Sequence, residues 1–505
     1  MLYDAGGLEG RVRPSKGLER KDATGRNALE RHRGEAPVEV RHFASLVGLA
    51  KCCTYAPFFP GGGTLLAYAS LIVYVLVLFI RPQEWVSWMM SFDLMDYVAG
   101  FAAFATVLGM AKNKWRFKDA PQNGLALGFF VAVVLSNVFC FQSPFNFHAT
   151  LSAFTTFGKI IFFYYLISIN VRTARQVRGL IVAIIIGCLF MSVHGILQIH
   201  TGSGFGGDNP EVLSARPLHI VLEGTTRIQA FGFFADPNDL ALALVVALPF
   251  VVNVIHRPES SAPARLLCLG LAGVLGYAIF LTNSRGGWLA LAITMMSYAL
   301  LSFRLKKFAV VLGVLLAAGL MMLAPGRVSS STMSSRDESS RGRLIAWADG
   351  NRMLRRSPIF GIGMGRFSEY AEDFRVAHNS FVHCYGELGL FGYFFWIGLL
   401  FASVKDCYAL GKDLTSEDPE RRRIGRLARV MLSSFIGYMA AAVFLSRTYT
   451  PLLFLMFGLI AALHAAYERQ FGALKGAMTR RDLKYTLLVE LASIPFFYLF
   501  TRAAL

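Results

Sequence analysis

Long apolar runs separated by polar segments recur along the whole chain. Each run is about as long as the roughly 20 residues that a helix needs to cross a bilayer. The pattern therefore predicts an all-α, polytopic integral membrane protein with about 12 transmembrane helices. A thirteenth apolar segment, residues 486–500, is short and contains Pro495, so it could be a tilted span or an interfacial helix. The twelve runs lie at 63–80, 94–111, 124–142, 150–169, 179–198, 239–255, 265–282, 287–303, 308–324, 380–402, 430–446 and 450–467.

The charges between the runs orient the chain. Every even-numbered loop is rich in Lys and Arg, whereas the short odd-numbered loops carry little charge, which is typical of cytoplasmic and outer loops respectively. The amino terminus is therefore expected inside. The predicted organisation is a cytoplasmic polar and basic tail at 1–60, spans 1–9 within 61–324, a large outer loop at 325–379, spans 10–12 within 380–467, and a cytoplasmic or interfacial segment at 468–505.

The composition agrees with a membrane protein and excludes other classes. Hydrophobic residues make up 55% of the 505 residues and charged residues 16%, so disordered and collagen-like chains are excluded. The formal charge of +18 could suggest a nucleic-acid partner. Basic residues in cytoplasmic loops explain it better, so no nucleic acid is expected.

The large outer loop carries nine arginines, which the charge rule does not explain because long loops translocate regardless of charge. Within it, Ser340–Arg355 has apolar residues near helical spacing, which predicts a short amphipathic helix along the membrane surface. Pro358 and the glycines of 361–365 are expected to end that helix in a turn. Backbone amides in this turn could also contact a phosphate.

Three basic side chains at the outer face are candidates for chemistry. His378, just before the tenth span, could be a general base, although an interfacial His more often has a structural role. Arg285, at the outer end of the seventh span, could snorkel or could clamp an anion with its guanidinium fork. Arg227 ends the first long outer loop on the same side.

Other polar residues have simpler readings. Asn379, Asp236 and Asn238 are good helix caps. Lys159, inside the fourth span, needs a cavity or a partner. The glycines of 361–365 are not a dinucleotide fingerprint, because no strand–helix unit surrounds them.

The sum of these features favours a particular kind of substrate. Arginines and a base at the membrane surface suit a molecule whose diphosphate lies among the headgroups and whose tail lies in lipid. They suit an ion channel poorly, because the cations lie in loops rather than along the spans. The sequence also lacks Walker A, HExxH and Gly-x-Ser-x-Gly motifs.

Several motifs occur in an order that resembles the O-antigen ligase and Wzy-type polymerase superfamily. His378-Asn379, then nine intervening residues, Gly389, two more residues and Gly392, resembles the ligase pattern His-[Asn/Ser/Gln]-x(9)-Gly-x-x-[Gly/Thr/Tyr]. The other matching elements, over about 227–400, are Phe234-Ala-Asp-Pro237-Asn238, Ser284-Arg285-Gly286, Arg343 with Trp347, and Pro358-Ile-Phe-Gly361-Ile-Gly363-Met-Gly365-Arg366-Phe367.

The resemblance implies a GT-C-like, metal-independent membrane glycosyltransferase without a cofactor. Its donor would be an undecaprenyl-diphosphate-linked glycan and its acceptor a lipid A core sugar, another glycan or a protein hydroxyl. By analogy, Arg285 and a loop arginine would hold the diphosphate, and His378 would deprotonate the acceptor. Arg343 is the preferred loop arginine, with Arg341 as the near alternative and Arg227 third. Arg366 and Asn379, inside matching motifs, would also bind substrate.

The resemblance also implies a place in the cell and leaves the reaction open. The protein would lie in a bacterial inner membrane, among its lipids, with the active site facing the periplasm. A ligase is favoured. A polymerase of O-antigen or exopolysaccharide repeat units is the alternative. A transporter of lipid-linked sugars is a remote third, because transporters usually place key polar residues at the bilayer midplane.

Overall fold

The computed structural model describes residues 62–110, 115–140, 147–202, 204–205, 219–222, 225–303, 331–372 and 374–505. The predicted tail at 1–60 and the ninth predicted span, 308–324, lie outside these residues. Thirteen helices of more than one turn occur in the described part: α1 (Gly62–Ile80), α2 (Leu94–Met110), α3 (Pro121–Val138), α4 (Phe147–Asn170), α5 (Ala174–Thr201), α6 (Pro237–His256), α7 (Ala262–Leu281), α8 (Arg285–Ser302), α9 (Ser331–Arg356), α10 (Ser380–Gly411), α11 (Pro419–Ala442), α12 (Pro451–Phe471) and α13 (Asp482–Ala504).

Nine of the helices in the described ranges are long and apolar enough to cross a membrane. They make this a multi-pass membrane protein. Helix α2 covers the second predicted run but is shorter than that set requires. Helices α8 and α11 cover most of the eighth and eleventh runs without belonging to the nine. Helix α13 includes the thirteenth apolar segment and is one of the nine.

Helix α12 lies at the centre of the bundle. Of its most apolar stretch 94% is buried, against 17% for α7 and for α13. Three aromatic residues of the bundle, Phe129, Phe157 and Phe454, form mutual ring contacts at 5.2–6.1 Å between centroids. The surfaces of α7 and α13 are correspondingly apolar and face outward, as helices in contact with lipid do.

One feature departs from the all-α prediction. Strands β1 (His219–Leu222) and β2 (Thr225–Ile228) form an antiparallel pair in the first long outer loop. Ile220 pairs with Arg227 and Val221 with Thr226. β-Branched residues fill most of the paired positions, and such residues favour the extended backbone. This hairpin places Arg227 beside the first turn of α6, where it contacts Asn238.

The amphipathic helix of the outer loop is present and is longer than predicted. Helix α9 runs from Ser331 to Arg356, and its second half packs against α10 and α13. Trp347 is buried, and its ring centroid lies 5.8 Å from those of Phe497 and Phe500 in α13. The second half of α9 is therefore docked onto other helices, and its position along the membrane surface stays a prediction.

Candidate active site at the outer end of the bundle

Helix α10 is broken at Gly389, which has φ 63° and ψ −166°. The carbonyls of Gly386 and Glu387, which a continuous helix would have used, accept hydrogen bonds from the amides of Ile362 and Gly363. Past the break, the amides of Leu390 and Phe391 donate to the carbonyls of Pro358 and Ile359. The segment after α9 is thus bonded into the gap in α10.

This bonding explains the glycine-rich run of the outer loop. A Cβ on Gly361 would lie 2.2 Å from the Glu387 carbonyl oxygen, so only glycine allows the close approach. The Gly361 amide donates to Ser357 and the Gly363 amide to Glu387. The predicted turn is confirmed. The amides of Gly361 and Gly363 are occupied within the protein, so they are not donors for a phosphate.

His378 precedes the first half of α10 in an unusual backbone conformation. Its φ of 49° lies in the left-handed region, where a non-glycine residue is strained and is often found at a functional site. The next residue, Asn379, caps the helix, and its Oδ1 accepts hydrogen bonds from the amides of Phe381 and Val382. The cap reading of Asn379 is confirmed, and its oxygen is not available to a substrate.

Charged groups from four segments surround His378. Burial of the imidazole, followed by the positive charges of Arg343 and Arg447, lowers the pKa of His378. Arg375 adds to this effect, whereas Asp236 opposes it. A lowered pKa keeps the imidazole neutral near pH 7, and the neutral form is the one that can accept a proton.

Arg343 links His378 to Arg285. It is half-buried on α9, and burial together with the positive charge of Arg285 lowers the pKa of Arg343. Arg285 is the exposed first residue of α8, directly after Ser284, whose Oγ accepts from the Gly287 amide at 3.0 Å. The structure therefore brings together three residues predicted from the sequence, Arg285, Arg343 and His378.

Among the residues that the structure describes, Arg285 and Arg343 have no counterion, whereas Arg366 is paired with a carboxylate. Within the described ranges, neither Arg285 nor Arg343 has a hydrogen-bond or ion-pair partner. Two unpaired guanidinium groups side by side repel each other, and an anion between them relieves that repulsion. A diphosphate supplies the charge and the oxygens that the guanidinium fork recognises.

The remaining predicted arginines are placed differently. Arg227 donates from Nε to the Thr282 carbonyl at 2.9 Å and from Nη2 to Asn238 Oδ1 at 3.3 Å. It thus secures the turn that carries Arg285. Arg341 is exposed on α9. Arg366 makes an ion pair with Glu369 at 2.9 Å and contacts Cys140 and Tyr370.

Two residues near the site were not singled out from the sequence. The guanidinium of Arg447, between α11 and α12, forms a double hydrogen bond with the carboxylate of Asp239 in the first turn of α6. The two residues are 208 positions apart, so no local pattern could reveal the pair. The nearby residues Asp236 and Asn238, in contrast, were predicted from the sequence to be helix caps. Asp236 caps α6 as predicted, its Oδ1 accepting from the Asn238 amide at 2.7 Å, whereas Asn238 instead accepts from Ser284 and Arg227.

A second histidine, His383, lies behind the site. Its Nε2 is 3.2 Å from the buried carboxylate of Glu387, and its Nδ1 is 3.3 Å from Thr448 Oγ1. His383 is five residues after His378, in the first half of α10. Glu387 also accepts from the Phe367 amide at 3.0 Å. His383 and Glu387 therefore join the first half of α10, which follows His378, to the loop after α9. This is a structural role.

Two further expectations concern cations. Lys159 has a partner, because its Nζ lies 2.7 Å from a carboxylate oxygen of Asp96, with 62% and 55% of the two side chains exposed. A paired cation away from the outer site needs no catalytic role. In the part of the chain that the structure describes, no group of three His, Cys, Asp or Glu side chains is arranged to hold a metal ion.

Residues 270–397 match a family model described as O-antigen ligase. The match covers about a quarter of the chain and includes Arg285, Arg343, Arg366 and His378. It confirms the resemblance to the O-antigen ligase and Wzy-type polymerase superfamily. No curated protein is similar enough to the chain to count as a match.

Proposed function

We propose that this chain, which carries an O-antigen ligase domain at residues 270–397, transfers a glycan from a lipid-linked diphosphate to an acceptor hydroxyl. The domain indicates activity of the O-antigen ligase or polymerase type. The observation that carries the finer proposal is the grouping of two unpaired arginines, Arg285 and Arg343, with a half-buried histidine whose pKa is lowered. It combines an anion clamp with a neutral base at one end of the bundle.

In the proposed reaction, the acceptor oxygen attacks the anomeric carbon of the donor glycan. His378 takes the hydroxyl proton as the new carbon–oxygen bond forms. The bond from the anomeric carbon to the diphosphate breaks, and its electron pair leaves with the diphosphate. Arg285 and Arg343 stabilise the negative charge that develops there. Attack from the opposite face would invert the anomeric configuration. No metal ion or cofactor is required by this step.

The charges around His378 give the clamp a second effect. Without substrate, burial and then the cations of Arg343 and Arg447 favour the neutral imidazole by lowering the pKa of His378. A bound diphosphate offsets those cations, so the proton affinity of His378 rises once the donor is in place. His378 is thus a stronger base with the donor bound than in the empty site.

The proposed donor is an undecaprenyl-diphosphate-linked glycan, because a polyprenyl tail can remain in the lipid while its diphosphate reaches the arginines. The acceptor is proposed to be a lipid A core sugar, another glycan or a protein hydroxyl. We place the enzyme in a bacterial inner membrane with its site facing the periplasm. A polymerase that joins repeat units is the alternative, since the same site could serve a different acceptor.

The test is the glycan profile of a strain that lacks this protein, complemented with wild type, His378→Ala or Arg355→Gln. Arg355 is exposed at the end of α9, so its variant controls for loss of positive charge. A ligase predicts that polymer accumulates on the lipid carrier while the acceptor stays bare. A polymerase predicts an acceptor with a single repeat unit. Rescue by Arg355→Gln and not by His378→Ala supports the proposal, provided both are present in the membrane at equal amounts.

A profile that does not change when the protein is absent would contradict the proposed function. Full rescue by His378→Ala would contradict the role of His378 as the base while leaving the type of activity in place.

A further inference from the structure

Every polar atom of the Arg447 side chain is bound within the protein. Its Nη2 lies 2.7 Å from Asp239 Oδ2, Nε donates to the other oxygen of that carboxylate, and Nη1 donates to the Ser446 carbonyl at 3.0 Å. The two side chains are 24% and 13% exposed. Because each of its nitrogens already has a partner and Asp239 balances its charge, Arg447 is a poor candidate for a third clamp on a diphosphate. This distinguishes it from Arg285 and Arg343.

The backbone of Arg447 is attached to the start of α10. Its amide donates to Ser380 Oγ at 2.8 Å, and Ser380 Oγ donates to the Leu445 carbonyl at 2.6 Å. The Arg447 carbonyl accepts from the hydroxyl of Tyr438 at 3.0 Å. Ser380 is two residues beyond His378, so these bonds fix the chain immediately after its left-handed turn.

The charge of Arg447 also reaches His378. The charged groups that face the imidazole are Arg343 on α9, Arg447 between α11 and α12, Asp236 before α6, and Arg375 in the preceding loop. Arg447 is second only to Arg343 among the charges in this set. Asp239 holds its guanidinium in a fixed position, so the distance from that charge to the imidazole is fixed too.

We propose that Arg447 and Asp239 form a positioning pair that holds His378 in its left-handed conformation and fixes a positive charge beside it. The pair ties the start of α6, the segment before α12 and the start of α10 together at one point. Asp239 orients the guanidinium, Ser380 transmits the position of the backbone, and neither member contacts the substrate. The catalytic importance of the pair rests on the proposed function of His378; its structural effect does not.

The test measures His378 directly and needs no substrate. Purified protein is treated with diethyl pyrocarbonate across a pH series, and modification of the peptide that contains His378 is followed by mass spectrometry. Only neutral imidazole reacts, so the midpoint of the rate against pH reports the pKa of His378. Arg447→Gln, Arg447→Lys and Asp239→Asn are compared with wild type, and Arg355→Gln is the matched control.

We expect Arg447→Gln to raise the midpoint by about half a pH unit, because one of the cations that lower it is gone. Arg447→Lys keeps the charge and loses the double hydrogen bond, so the midpoint should stay while the limiting rate rises as the segment loosens. Asp239→Asn should raise the limiting rate in the same way. Arg355→Gln should change neither quantity.

An unchanged midpoint in Arg447→Gln, together with unchanged rates in the other two variants, would overturn the proposal. If Arg447→Gln does not fold, an unchanged limiting rate in both Arg447→Lys and Asp239→Asn is sufficient to reject it. Glycan transfer is measured on the same variants. A shifted midpoint in Arg447→Gln, combined with full transfer by His378→Ala, would sustain the positioning pair and reject the assignment of His378 as the base.

Discussion

Gly389 lies against the backbone of Ile359 so closely that a Cβ on the glycine would come within 2.4 Å of the Ile359 carbonyl oxygen. The contact joins the break in α10 to the segment that follows α9. One end of this arrangement carries Arg343 and the other carries His378, so the relative position of the two depends on it.

Gly389→Ala should therefore destabilise the protein by about 2–4 kcal/mol, since the new methyl group meets backbone and the residue must keep a positive φ. The measurement is the thermal unfolding midpoint in detergent. Gly273→Ala on α7 is the control, because a Cβ there meets nothing within 4 Å. It should be neutral or slightly stabilising, as alanine favours the helix. Equal midpoints for the two variants would show that the contact does not hold the helix break.

The sequence predicted those parts of the structure that depend on local patterns. Apolar runs correspond to helices such as α1, α5 and α12, and Asp236 and Asn379 are caps because short polar side chains bond to the next amides. The glycine run is a turn for the reason its composition suggested. Motif resemblance, rather than physical pattern, selected Arg343 over Arg341.

Features that depend on distant contacts could not be predicted in this way. Nothing local indicates that Arg447 meets Asp239 or that α10 breaks at Gly389, because the bonds that stabilise both come from elsewhere in the chain. The first turns of α9 are polar and show no apolar stripe, so the amphipathic pattern detected only the second half of the helix.

Arg285→Lys should reduce glycan transfer by about tenfold or more, because lysine keeps the charge but cannot form the two-pronged contact with phosphate oxygens. Arg343→Lys should behave similarly. Arg366→Lys is a useful comparison, since Arg366 is already paired with Glu369 and should affect transfer less. The measurement is the amount of transferred glycan at matched expression. Undiminished transfer by Arg285→Lys would argue against the diphosphate clamp.

The pH dependence of transfer should reflect His378. Its pKa is lowered from the ordinary value of 6.5, so the neutral base is present above that lowered pKa and is lost as the pH falls through it. At donor concentrations well below saturation, where the rate reports the enzyme without bound donor, transfer should therefore persist below pH 6.5 and decline only at more acidic values. Arg343→Gln removes the largest charge that lowers this pKa, so the acidic limb should move to higher pH even though the maximal rate falls. An acidic limb at the same pH in both proteins would show that Arg343 does not influence the pKa of His378.

Helix α13 contacts α10 near both of its ends. At its start, the Asp482 carboxylate lies 2.6 Å from the Nζ of Lys405, late in α10. Near its end, the ring centroid of Phe497 lies 5.4 Å from that of Phe381, in the first turn of α10, and 5.8 Å from that of Trp347 on α9. Helix α13 thus runs antiparallel to α10 along most of its length, and 23 residues suffice to cross a bilayer.

We therefore expect residue 503 to lie on the same side of the membrane as α9. In a background without native cysteines, Ala503→Cys should react with a membrane-impermeant maleimide added to intact spheroplasts, as should the outer marker Arg356→Cys. The inner marker Glu417→Cys, between α10 and α11, should react only after permeabilisation. If Ala503→Cys behaves like Glu417→Cys, α13 does not cross the membrane, and its contacts with Phe381 and Trp347 cannot form as described. Labelling of Arg356→Cys only after permeabilisation would instead reverse the orientation of the whole bundle and place the arginine clamp in the cytoplasm.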